Sequence, residues 1–107
     1  MKNLRNYYGA TLLDDENTNN KIILEYYKNT KYTLSKAKLK TIYGITIIKK
    51  KYEDGEVKLE KNCIKNISSN ENKIRRIIEL LKTYKVTPIG LNDVLTDLLK
   101  TREFQRN

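Results

Sequence analysis

The chain has 107 residues, with 22 Lys+Arg against 13 Asp+Glu, a net charge of +9, no His, no Trp, one Cys and one Pro. That length suits one small domain and not two. A lone cysteine excludes an internal disulfide, and without His there is neither imidazole acid–base chemistry nor, with a single Cys, a structural zinc site.

Residues 1–20 read as a loosely held arm, with the polar segment DDENTNN (14–20) as a loop; Tyr7, Tyr8, Leu12 and Leu13 give it the alternative of docking on the body or forming a first edge strand. Residues 21–34 read as strand, turn, strand, with Asn29-Thr30 in the turn, or as one strand and a basic loop. In the first strand Ile22, Leu24 and Tyr26 share one face, and Ile23 and Tyr27 the other. The segment SKAKLK (35–40) either extends a strand or links two.

The clearest hairpin covers residues 41–64. Residues 42–48 are rich in β-branched types and apolar on both faces, Tyr43, Ile45 and Ile47 on one and Ile42, Thr46 and Ile48 on the other, which predicts a central strand covered on both sides. Asp54-Gly55 supplies the positive-φ turn of a tight hairpin. The return strand runs over about 56–63, with Val57, Leu59 and Cys63 expected inward.

Two helices follow. Residues 68–71 (SSNE) form a capping-box pattern. Ile74, Ile77, Ile78 and Leu81 then make one apolar stripe on a helix over 70–84. Thr87-Pro88-Ile89-Gly90 breaks the chain, and Asn92 caps a second helix over 92–100 with Leu91, Val94, Leu95, Leu98 and Leu99 on its apolar side. Residues 101–107 read as a polar tail. Strands followed by helices predict an α+β domain over 21–100, a small antiparallel sheet covered by two C-terminal helices.

Little in the chain points to catalysis. Asp14, Asp15 and Glu16 are consecutive and lack a calcium-loop pattern; Asp93 and Asp97 lie four apart on a helix and read as solvated carboxylates. Cys63 has no His to activate it and reads as a small buried apolar group. Gly44 sits alone in a strand and marks a bulge or a close approach. No catalytic residue, metal site or cofactor is assigned, and the protein is expected not to be an enzyme. No apolar run approaches the roughly 20 residues of a membrane span, and the first ten residues lack a secretory signal's apolar stretch, so a cytoplasmic setting is expected.

The charge is localised. Residues 21–51 carry nine Lys against Glu25 alone, a pattern that reads either as a solvated Lys-rich surface or as a face for an anionic partner. Eight tyrosines, several among those lysines, read as sheet packing or as a platform for stacked bases. The helix pair is a poor helix-turn-helix: the break is long, and Asp93 and Asp97 make the second helix acidic.

The strand YGITI (43–47), the segment NISSNENKI (66–74) and the segment VTPIGLNDVLTDLL (86–99) resemble a small uncharacterised family of Firmicutes, mainly clostridial. The resemblance spans residues 43–99 and implies a ββαα-like core in a small cytoplasmic bacterial protein. It brings no activity with it.

The expected function is therefore binding. Nucleic acid is the first expected partner, held by Lys36, Lys38, Lys40, Lys49, Lys50 and Lys51 on the sheet and hairpin as phosphate contacts. The alternative is a protein partner or a second copy, met by Val94, Leu95, Leu98 and Leu99 on the apolar face of the second helix.

Overall fold

The computed structural model describes residues 2–14, 20–101 and 104. Four strands come first, β1 (Lys2–Asp14), β2 (Lys21–Ser35), β3 (Lys38–Glu53) and β4 (Glu56–Ser68), then helices α1 (Glu71–Thr83) and α2 (Leu91–Leu99). Every strand pairs antiparallel with its neighbour in sequence, so the sheet order is β1-β2-β3-β4. This is the α+β arrangement that strands followed by helices require.

Two tight turns set the register. Asp54 and Gly55 both have positive φ, 50° and 80°, as the hairpin turn predicted there demands. The second turn was not foreseen. Lys36 and Ala37 adopt φ of 50° and 61° without a glycine, and they join Ser35 to Lys38 directly. The turn expected at Asn29-Thr30 is absent: β2 runs unbroken through both residues, which pair with Gly44 and Tyr43.

Period-two alternation then divides the sheet. Leu24, Tyr26, Ile45 and Ile47 face the helices and are fully buried. From α1 come Ile74, Ile77, Ile78 and Leu81, also fully buried, as the stripe predicted. Each such side chain removed from water contributes about 2 kcal/mol. Leu91 and Leu95 of α2, Val86 and Phe104 complete the core. Thus Phe104, expected in a polar tail, is 2% exposed. The rest of that tail beyond Thr101 lies outside the described residues, as does most of the predicted loop at 14–20.

Several local expectations change. Lys2–Asp14 forms the edge strand, the alternative to a loose arm, and shifts register between Tyr7 and Ala10, where Gly9 has φ 120°. The cap of α1 is Asn70, whose side-chain oxygen accepts from the Lys73 N–H at 3.2 Å, while Ser68 Oγ accepts from the Asn70 N–H at 3.0 Å. Glu71 therefore does not close a capping box; it pairs with Lys28 of β2 at 3.1 Å and with Arg75 at 2.7 Å. The cap position of α2 is Gly90, not Asn92.

The helical layer is short. α1 has 13 residues, about 20 Å of helix, against strands of up to 16 residues and about 50 Å. Leu34 and Leu39, paired at the tip of the β2–β3 hairpin, consequently stay 73% and 67% exposed. Both helices add to the core on one side of the sheet, so among the described residues β3 is covered by helix on that side alone, not on both as its composition suggested. Its second face, open among the described residues, still holds Gly44 buried and Thr46 at 1% exposed.

Candidate nucleic-acid interface

The open face is built by the residues that alternate with the core. Across it run Arg5 and Tyr7 of β1, Tyr27, Asn29 and Lys31 of β2, Ile42, Gly44 and Thr46 of β3, and Lys61, Cys63 and Lys65 of β4. Val57 and Leu59 belong to this face too. They are 50% and 63% exposed, so the expectation that they point inward is corrected.

A concavity of about 540 Å³ occupies the middle of the face. Gly44 lines this trough. Arg5 lies opposite Asn29, and Asn29 opposite Gly44, in one row across the sheet. Where that row reaches β3 there is no side chain, and the β4 backbone closes in instead. On the far side β4 bulges: Tyr43 pairs with Ser68 but Ile45 with Ile64, and Asn66 turns through φ 57°. The bulge brings the β4 backbone so close that a Cβ at Gly44 would run into the Ile64 carbonyl oxygen. The lone strand glycine is thus both the bulge and the close approach that its position suggested.

The floor is polar and internally bonded. Asn29 Nδ2 donates to Thr46 Oγ1 at 2.7 Å and to Cys63 Sγ at 3.2 Å, which ties three strands together beneath the trough. Cys63 is a half-buried free thiol of this floor rather than a core side chain. The rim is cationic: Arg5 and Lys31 on one side, Lys61 and Lys65 on the other, and among the described residues no carboxylate lines the space. None of the four cations is held in an ion pair among the described residues. Beside the rim, Tyr7 is 59% exposed and meets Tyr27 edge to face, 5.7 Å between ring centres. The Arg5 guanidinium lies 4.8 Å over the Tyr27 ring.

The lysines singled out from the sequence fall elsewhere. Lys36, Lys38 and Lys40 stand exposed at the β2–β3 tip, and Lys49, Lys50 and Lys51 lie near the opposite end of β3. The thirteen residue-to-residue steps of strand from Lys38 to Lys51 span about 43 Å, so the two groups are not one surface. Alternation also splits the second group. Lys50 is on the open face, where its ammonium bonds Glu25 at 3.1 Å and is held above its ordinary pKa by that carboxylate. Lys51 is on the helix side and pairs with Glu53 at 3.7 Å. Lys49, also on the helix side, sits opposite Leu24 and Glu60.

The apolar face of α2 is largely absorbed. Leu95 is 4% exposed, and Val94, Leu98 and Leu99 pack against the core, half-buried. Asp93 and Asp97 are exposed, and among the described residues no cluster of Cys, Asp and Glu could hold a metal ion. No helix among them is long and apolar enough to cross a membrane.

The cations that do converge, Arg5, Lys31, Lys61 and Lys65, escaped the sequence reading. The signal for them was strand parity. Counting back from Asp54-Gly55 places Lys61, Cys63 and Lys65 on one face with Thr46. Only the turn at Lys36-Ala37 then adds Lys31.

Fold and surface together define a small α+β protein, a four-stranded meander with helices on one side and an uncovered basic trough on the other. The chain matches a family of unknown function, DUF6514, over residues 11–101, and belongs to it. No curated protein and no solved structure matches the chain.

Proposed function

We propose that the protein binds nucleic acid through the open face of its sheet, without catalysis. One observation carries the reading: four cations with no carboxylate partner among the described residues rim a single concavity on a face that the helices leave bare. Unpaired cations in one place attract a polyanion and give up little to bind it, since no internal ion pair must break. Phosphate contacts of this kind supply affinity and orientation rather than sequence choice.

Binding of a labelled mixed-sequence oligonucleotide, followed by anisotropy, tests it. Lys65→Glu should abolish binding measured at low salt. Lys49→Glu, on the opposite face, should leave it intact. Equal losses from both substitutions would mean that net charge and not the trough attracts the ligand.

A further inference from the structure

We infer that the nucleic acid this trough takes is single-stranded, with a phosphate at Arg5 and the adjoining base stacked on Tyr7. The inference rests on the reading above and narrows it to one strand form.

Shape argues first. Four strands side by side measure about 14 Å between the outer strand axes, before side chains are added. The major groove of a DNA duplex is about 12 Å wide and admits one helix or a two-stranded ribbon, not a four-stranded face. The trough is also concave, and its polar floor at Asn29 and Thr46 lies below the cationic rim. A duplex would meet the rim with its phosphates and leave that floor empty. A single strand can place phosphates on the rim and turn bases inward.

The aromatic pair argues second. Tyr7 and Arg5 are two residues apart on β1, so they share the open face about 7 Å apart. The Tyr27 ring has Arg5 over it and the Tyr7 ring packed against it at 66°, which holds both neighbours in place. Tyr7 itself is left with a largely exposed ring. A base in a duplex is already stacked on both sides and has no face to offer. An unpaired base does, and stacking on an aromatic side chain tolerates any sequence.

The experiment compares one fluorescent oligonucleotide of about twelve nucleotides, within the usual site sizes, as a single strand and annealed to its complement. The whole chain is used, wild type and Tyr7→Leu, at several salt concentrations. The expected result is at least about tenfold tighter binding of the single strand, and about tenfold weaker single-strand binding by Tyr7→Leu with an unchanged salt slope. Tyr7 is exposed, so circular dichroism should show the variant folded as wild type. Equal affinity for both strand forms overturns the single-strand inference while leaving the nucleic-acid reading standing. So does a Tyr7→Leu chain that binds as wild type. Absence of binding to either form overturns both, and competition by polyglutamate as effective as by unlabelled oligonucleotide shows that bare charge is all the trough reads.

Discussion

Tyr26→Phe separates two contributions of one buried hydroxyl. Tyr26 is fully buried on β2, and its OH donates to the Val86 carbonyl oxygen at 3.0 Å, joining the sheet to the segment between α1 and α2. Replacing it by Phe keeps the ring and leaves that acceptor without the phenol, a loss of about 1–2 kcal/mol. For a chain of this length the melting temperature should fall by about 4–9 °C. Burial also pushes the phenol pKa from 10.0 up to about 12. Below pH 10 the phenol is neutral in both states and its contribution is fully present. As pH rises from 10 the unfolded chain ionises first, so stability is lost progressively up to the folded value, by roughly 2–3 kcal/mol in all. Urea titrations followed by circular dichroism at pH 7 and at steps from 9.5 to 12 measure both effects. The variant should start lower and decline less steeply than wild type. A variant within 0.3 kcal/mol (roughly the resolution of such titrations) at pH 7, with a parallel alkaline decline, would refute the assigned role of this bond.

Three further outcomes are expected. If the four rim cations each displace a counterion from a single strand, the slope of log affinity against log salt is about −2.8, an affinity loss near fiftyfold between 50 and 200 mM; Lys31→Gln should make that slope shallower by about 0.7, and a slope untouched by the substitution would remove Lys31 from the interface. Gly44→Ala drives a methyl group against the Ile64 carbonyl and should destabilise the fold by about 1–3 kcal/mol in urea unfolding, unless β4 can retreat from β3 at no cost. The Lys28 ammonium bonded to Glu71, with the Tyr43 hydroxyl and Arg75 beside it, holds the Glu71 carboxyl below its ordinary 4.5. Its contribution is therefore present above that pH and lost as pH falls below it, so Glu71→Gln should lower stability at pH 7 and flatten the acid decline seen in wild type.

What the sequence makes legible here is whatever depends on neighbours in the chain. The β-branched run at 42–48, the Asp54-Gly55 turn and the stripe from Ile74 to Leu81 are local patterns, and each appears in the structure where it was expected. The features that went unread depend on partners far away. Asn29 and Thr30 look like a turn because both favour one, yet they continue β2 because Asn29 bonds across to Thr46 and Cys63. Val57, Leu59 and Cys63 do share a face; that the face is open follows only from the side on which α1 docks. Lys28 looks like one more surface lysine. It is 8% exposed, bonded to Glu71 and lying 5.9 Å and 5.5 Å from the Tyr8 and Tyr43 ring centres. The trough was missed for the same reason, since its four cations come from three strands and are united by register.

The meander also shapes how the chain is made. Every strand pairs with the strand just before it in sequence, so hairpins can close one after another as residues emerge, with low separation between partners. The sheet is complete once β4 has been synthesised. At that moment Leu24, Tyr26, Ile45 and Ile47 have no cover, because the helix that shields them comes entirely afterwards. The cover for that apolar side thus follows the whole sheet in synthesis, by about one to three seconds at ordinary translation rates. The Lys28 ammonium lies on that same side, between Tyr26 and Thr30 of β2. Its carboxylate partner Glu71 is the first residue of α1, so this ion pair too can form only once the helix has begun to be made.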